Sequence, residues 1–108
     1  KIDNAQSALD RKAWADSIYH SYTSIVNSAK ALLLADDVKT NTQAGIIAQC
    51  DELFVETGKI ELSTSFKEFT YQLNEHEPGE EFAQKYIEDA RLFLKRVDAY
   101  RTKEVQDV

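Results

Sequence analysis

Three side chains in this sequence have the chemistry of a nucleophile, an acid–base catalyst or a metal ligand: Cys50, His20 and His76. Cys50 lies on the apolar face of a predicted helix, and neither histidine is near it in sequence to act as a base. We therefore predict that Cys50 is buried and packs as a small hydrophobic residue. His20 points away from the apolar face of its own helix, so we expect it to be exposed to solvent.

His76 lies in the acidic turn 74–81, which reads NEHEPGEE. Histidine and glutamate together can bind a divalent metal. However, Pro78 and Gly79 interrupt the helix, so no rigid i, i+4 pair forms, and a solvated turn before a helix N-terminus is favoured. The sequence also has no phosphate-binding glycine loop and no Ser/His/Asp arrangement with usable flanks. We expect no catalytic residue, no metal and no cofactor.

Size and composition indicate one small, acidic, helical domain. The chain has 108 residues, a formal net charge of −6, three glycines and one proline. So few turn residues predict a few long helices rather than a sheet. The negative charge argues against binding to DNA or to a membrane surface, because both favour excess Lys and Arg. The single cysteine excludes an internal disulfide and is typical of a reducing, cytoplasmic environment.

Apolar residues recur at helical spacing in four segments, which predicts an all-α, antiparallel bundle of four or five helices. The first helix should span residues 7–35 and end at Asp36 and Asp37. The second should span 42–57, with Asn41 or Thr42 as its cap and Gly58 as its end. The third should span 63–75, capped by Ser63 or Thr64, and the fourth 80–103, with a frayed end after it. We expect one domain with its core in residues 7–103, and the absence of methionine suggests a piece of a longer protein.

One stripe of the first helix contains only small side chains. It comprises Ala13, Ser17, Ser21, Ser24, Ser28, Ala31 and Ala35. Serine is not favoured inside helices, so a row of this kind needs a reason. One interpretation is the shoulder of the core, where a neighbouring helix approaches closely. The other is an interface with a second copy or with a parent protein, for which the candidate residues are Ala13, Ser17, Ser21, Ser24, Ser28 and Ala31.

The sequence resembles the HEPN domain family in three places. Segment 17–34, SIYHSYTSIVNSAKALLL, resembles the first long helix of HEPN domains. Segment 42–47, TQAGII, followed by LFV at 53–55 and by Gly58, is similar to the family pattern Thr-His-x-Gly-Val-Ile…Phe-Val…Gly. Ala90, Phe93 and Val97 fit the last long helix. The resemblance covers about residues 7–101 and implies a bundle of four or five helices that often dimerises.

Many HEPN domains are ribonucleases that use an Arg followed four to six residues later by a His, and this sequence contains no such pair. The position after Thr42 is Gln43, where the family commonly has His. The chain is most similar in character to the HEPN-type segment at the C-terminus of bacterial sulfite/nitrite reductase-like proteins. That resemblance implies a non-catalytic accessory or interaction domain, whose partner is a parent enzyme or a second copy.

Two alternatives stay open at this point. One is a nucleotide-binding regulatory module, with Lys30 or Lys39 near Thr40 and Thr42 as the cationic site. The other is a relative of the HEPN ribonucleases, either inactive or with unusual catalytic residues.

Overall fold

The computed structural model describes residues 2–40, 42–62 and 64–106, which form five α-helices and no β-strand. The helices are α1 (Ile2–Asp10), α2 (Trp14–Ala35), α3 (Gln43–Cys50), α4 (Phe66–Glu75) and α5 (Glu80–Gln106). A π-helical turn, Asp51–Val55, continues α3. The predicted all-α fold is confirmed. None of these helices is long and apolar enough to cross a bilayer.

The predicted first helix is in fact two helices, because the chain breaks at residues 11–13. Lys12 adopts a left-handed conformation with φ of 63°. Its N–H donates to the carbonyl of Leu9 at 3.0 Å, and the N–H of Ala13 donates to the carbonyl of Ala8 at 2.8 Å. This pair of bonds is the usual helix-terminating motif in which glycine normally holds the left-handed position. The prediction of one helix over 7–35 was wrong because lysine rarely adopts this conformation.

The end of α2 uses the same device at a predicted position. Asp37 has φ of 62°, and the N–H of Val38 donates to the carbonyl of Leu33 at 2.9 Å. Asp36 and Asp37 thus do end this helix, as the sequence suggested.

The predicted second helix is irregular. Thr42 caps α3, since its side chain accepts a hydrogen bond from the N–H of Gly45 at 3.0 Å. The alternative cap, Asn41, lies outside the described residues. The α-helical hydrogen bonding stops at Cys50 and changes to π-helical, so a regular helix over 42–57 is not what forms. Gly58 has φ of 76°, which confirms its predicted role at the end of this segment.

Helix α4 begins at Phe66, later than expected, and is capped twice. Its own cap is Ser65, whose hydroxyl accepts from the N–H of Glu68 at 3.1 Å. Thr64 is therefore not the cap, and Ser63 lies outside the described residues. The second cap is the carboxylate of Asp51, in the π-helical turn. It accepts from the N–H groups of Phe66 at 2.6 Å and Lys67 at 3.0 Å.

The core lies between α2 and α5 and is closed by α1, α3 and α4. Its largest feature is an aromatic cluster of Phe66, Phe69, Tyr86 and Phe93, in which neighbouring ring centroids lie 5.3 to 6.4 Å apart. Helix α5 continues to Gln106, so the segment that was expected to be frayed after residue 103 is helical for three more residues. The last two residues lie outside the described part of the chain.

Candidate functional site

A groove runs along α2 toward the C-terminal end of α4 and has a volume of about 410 Å³. Its lining residues are Ala15, Ile18, Tyr19, Tyr22, Thr23, Val26, Asn27, Gln43, Leu73 and Pro78. The seven that belong to α2 cover positions 15–27, which corresponds to a length of about 18 Å. None of the lining residues carries a charge at neutral pH, although charged residues make up 30% of the chain. The groove is therefore an uncharged strip on an otherwise charged surface.

Tyrosine side chains dominate one wall of this groove. Tyr19 is 66% exposed, which is unusual for an aromatic side chain in a domain of this size. Tyr22 is half-buried, and its hydroxyl donates to Oε1 of Gln43 at 3.1 Å. Burial raises the pKa of the Tyr22 phenol, and the phenols of Tyr71 and Tyr19 nearby raise it further. Tyr22 is therefore protonated at neutral pH and holds the Gln43 amide in place as a hydrogen-bond donor.

The polar groups in the groove are few. Thr23 donates its hydroxyl proton to the carbonyl of Tyr19 at 3.0 Å. The half-buried amide of Asn27 makes no hydrogen bond to another described residue. A mainly apolar strip with isolated amide and hydroxyl groups can bind an apolar segment and fix its orientation.

The small-residue stripe lies mostly inside the molecule. Ser17 and Ser21 are fully buried and Ser24 is 4% exposed, while Ala13, Ser28 and Ala31 are half-buried. The first three therefore cannot belong to an interface while α1 stays in place. The other interpretation, the shoulder of the core, describes them correctly.

Helix α1 covers the buried serines. Ala5 and Ala8 are fully buried, and the hydroxyl of Ser17 donates to the carbonyl of Ala5 at 2.9 Å. The hydroxyl of Ser21 donates to the carbonyl of Ser17 at 2.9 Å, within α2. The stripe is made of small residues because α1 crosses α2 there, a contact that the prediction of a single long helix could not foresee.

A second cleft, of about 340 Å³, lies between α4 and α5 and contains cationic side chains. Lys85 lies 3.0 Å from Asp89 and 3.4 Å from Oε1 of Gln72. Arg96 donates to the carbonyl of Glu61 at 2.7 Å. Both cations are already partnered within the chain, so this cleft is a weaker candidate for an anion site.

The residues first considered for chemistry are held in structural contacts. Cys50 is fully buried, as predicted, and burial together with the charge of Asp51 raises the pKa of its thiol to about 12. His20 is half-buried against Tyr19 rather than exposed, with ring centroids 5.9 Å apart. His76 stacks on Phe82 at 4.5 Å. Among the described residues, no group of three or more His, Cys, Asp or Glu side chains is arranged to hold a metal ion.

The residues considered for nucleotide binding do not line either cleft. Lys30 and Lys39 are exposed, on α2 and in the loop after it. Thr42 caps α3, and Thr40 lies close to Gly45, where an added Cβ would come within 2.8 Å of the Thr40 hydroxyl.

Sequence reasoning missed the groove, although it contained a signal. Tyr19 lies one position outside the apolar face that contains Ile18 and Tyr22, and an aromatic residue at such a position is not explained by the core. Leu73 and Pro78 reach the groove only through the tertiary fold.

Comparison with known proteins agrees with the helical architecture. The sequence model of the HEPN domain family matches residues 1–100. A protein of Methanocaldococcus jannaschii named "Putative toxin MJ0605" is 29% identical over 103 residues, covering 89% of this chain and 77% of the relative. No solved structure matches the chain significantly.

Proposed function

Because this chain belongs to the HEPN domain family, we propose that it is a non-catalytic interaction domain whose groove along α2 binds an apolar segment of a partner protein. The observation that supports this role is the uncharged groove itself. Ten lining residues without one charged side chain are unexpected on the surface of a chain with 30% charged residues. Uncharged apolar strips of this kind mark sites where proteins meet.

The dimensions of the groove fit a short helix or an extended segment. Its length of about 18 Å corresponds to three turns of a helix, the usual length of a helix bound in a groove through positions i, i+3, i+4 and i+7. Tyr19 supplies the largest exposed apolar area and is the expected anchor. The amides of Asn27 and Gln43 would set the register by hydrogen bonding to the backbone of the bound segment.

The chemistry of the polar side chains supports a non-catalytic role. Each histidine contacts an aromatic ring, His20 with Tyr19 and His76 with Phe82. The thiol of Cys50 is buried and protonated. No arginine precedes a histidine at the spacing that HEPN ribonucleases use, so no guanidinium accompanies an imidazole base in that arrangement.

Photocrosslinking in cells tests the proposal directly. Benzoylphenylalanine placed at Tyr19 should crosslink to an apolar segment of one protein partner, identified by peptide mapping. The matched control places the same group at Lys30, which is exposed on the same helix but outside the groove. Equal crosslinking from both positions, or crosslinking from Tyr19 to nucleic acid alone, would show that the groove does not have this role.

The partner that we propose is the remainder of a longer parent protein. The resemblance of segments 17–34 and 42–58 to the C-terminal segment of bacterial sulfite/nitrite reductase-like proteins supports such a parent. Sequencing the complete open reading frame and its neighbours tests this, and a reading frame that encodes only this domain would reject it.

A toxin-like activity is the second candidate, because the relative from M. jannaschii carries the name of a toxin. In this case the protein would arrest growth when expressed and would cleave RNA with residues outside the usual pair. Induced expression in a heterologous host, followed by RNA degradation assays on the purified protein, separates the two candidates. Normal growth and intact RNA would remove the second one.

A further inference from the structure

The outer face of α5 has a charge pattern that reverses halfway along the helix. Residues 80–90 carry four acidic side chains and one lysine, whereas residues 91–102 carry four basic side chains and one aspartate. The overall charge of the chain is −6, so the second half of α5 is a local basic region. The exposed stripe at the centre of this outer face consists of Glu81, Gln84, Glu88, Leu92, Lys95, Ala99 and Thr102.

The helix dipole explains only the ends of this pattern. Acidic residues in the first turn, such as Glu80 and Glu81, are stabilised by the partial positive charge at the N-terminus. That effect falls off within one turn, and Glu88 and Lys95 lie in the interior of a helix of 27 residues. Neither side chain forms an ion pair with another described residue. Between them Leu92 is 46% exposed.

The stripe is self-complementary under a two-fold rotation. Its midpoint lies between positions 91 and 92, so an antiparallel copy of α5 pairs each position with the one equally far on the other side. Position 88 then faces position 95, position 84 faces 99, and position 81 faces 102. Glu88 of each copy meets Lys95 of the other, which forms two opposite-charge pairs about 10 Å apart along the helix. Leu92 lies beside the axis, next to Leu92 of the second copy.

We propose that two copies of this chain associate through the outer faces of α5, antiparallel, with Leu92 near the axis and a Glu88–Lys95 pair on each side. This inference extends the proposed interaction role by naming a second copy as a partner. It uses a face that shares no lining residue with the groove along α2. A symmetric interface of this type uses the same patch on both subunits.

The charge pattern selects a second copy over a polyanion. An RNA strand or a uniformly acidic protein would favour the half with Lys95, but it would be repelled by Glu81 and Glu88 in the other half. Only a partner with the reversed order of charges satisfies both halves, and the chain itself has that order when it is turned around. Like charges face each other if the same helices lie parallel, so the pattern also sets the orientation.

Charge exchange tests this arrangement. Light scattering or analytical ultracentrifugation across a dilution series at low salt should show a dimer for the wild type. Glu88→Lys and Lys95→Glu should each raise the dissociation constant about thirtyfold, because each substitution turns two attractive pairs into repulsive ones. The double variant, with both substitutions, should recover most of the affinity, since the pairs form again in reverse. High salt should weaken the wild-type dimer.

Matched controls separate local pairing from overall charge. Lys30→Glu and Glu56→Lys make the same charge changes at exposed positions away from α5 and should leave the dissociation constant unchanged. Circular dichroism confirms that every variant is folded. A wild type that stays monomeric, a dimer that ignores both single substitutions, or a double variant that stays as weak as the single ones would overturn the proposal. None of these results affects the groove, which the crosslinking at Tyr19 tests separately.

Discussion

The double cap of α4 leads to a quantitative prediction for Asp51. Its carboxylate accepts from two first-turn N–H groups, those of Phe66 at 2.6 Å and Lys67 at 3.0 Å. A hydrogen bond to a charged group contributes about 1.5 to 3 kcal/mol, and the bond to Lys67 is exposed to solvent and belongs at the low end. The negative charge at a helix N-terminus adds about 0.5 kcal/mol. Replacement of Asp51 by alanine should therefore lower the free energy of unfolding by about 3 kcal/mol.

Asparagine at the same position should cost about half as much, because it keeps one acceptor oxygen and loses the charge. In a domain of this size, a loss of about 3 kcal/mol lowers Tm by about 10 to 20 °C. Urea denaturation and thermal melts of Asp51→Ala and Asp51→Asn give both values. The control is Glu52→Ala, which removes a neighbouring exposed acidic residue that contacts neither amide. If Asp51→Ala is no more destabilising than Glu52→Ala, the long-range cap contributes nothing.

Three further outcomes follow from the structure. Gly45→Ala should destabilise by about 1 kcal/mol despite the better helix propensity of alanine, since a Cβ would lie 2.8 and 2.9 Å from the Thr40 and Thr42 hydroxyls and displace the cap of α3; urea denaturation that shows a gain would contradict this. Cys50 should react with a thiol reagent only at the rate of unfolding, because it is buried with a pKa raised to about 12, and fast labelling of the folded protein at neutral pH would be the opposite result. Burial raises the pKa of Tyr86 above its ordinary value, so stability should fall as the pH rises above about 10, where the unfolded tyrosine ionises first, and melts of Tyr86→Phe should show a smaller fall.

Hydrophobic periodicity was sufficient to predict the fold class and most of the core. Ile18, Ile25, Ala29 and Leu32 lie on the predicted face of α2 and are buried. The division between α1 and α2 could not be read in the same way. Neither glycine nor proline marks the break, and Lys12 takes the left-handed position only because tertiary packing buries Ala5 and Ala8 against α2. Local propensity does not contain that information.

The candidate site was harder to predict than the fold. A row of serines at helical spacing indicates close packing, but it does not say whether the neighbour is α1 or a second molecule. The groove requires Leu73 and Pro78 to approach α2, and that approach depends on where α4 begins. Its start is fixed in part by Asp51, which is 15 residues before Phe66 in the sequence. Contacts over such separations are decided by the folded chain as a whole.

The π-helical turn at Asp51–Val55 has a consequence for comparing this chain with its relatives. A π-helical turn contains one residue more than an α-helical turn, so it shifts the phase of everything that follows by about 100°. Here that shift lets Cys50 and Phe54 both lie in the core while Asp51 reaches the start of α4. Deletion of one residue in the turn would restore a regular helix but rotate either Cys50 or Phe54 out of the core. Sequence alignments of HEPN domains should therefore place a one-residue gap at this turn in relatives whose corresponding helix is regular, and those relatives should lack an acidic residue at the position of Asp51.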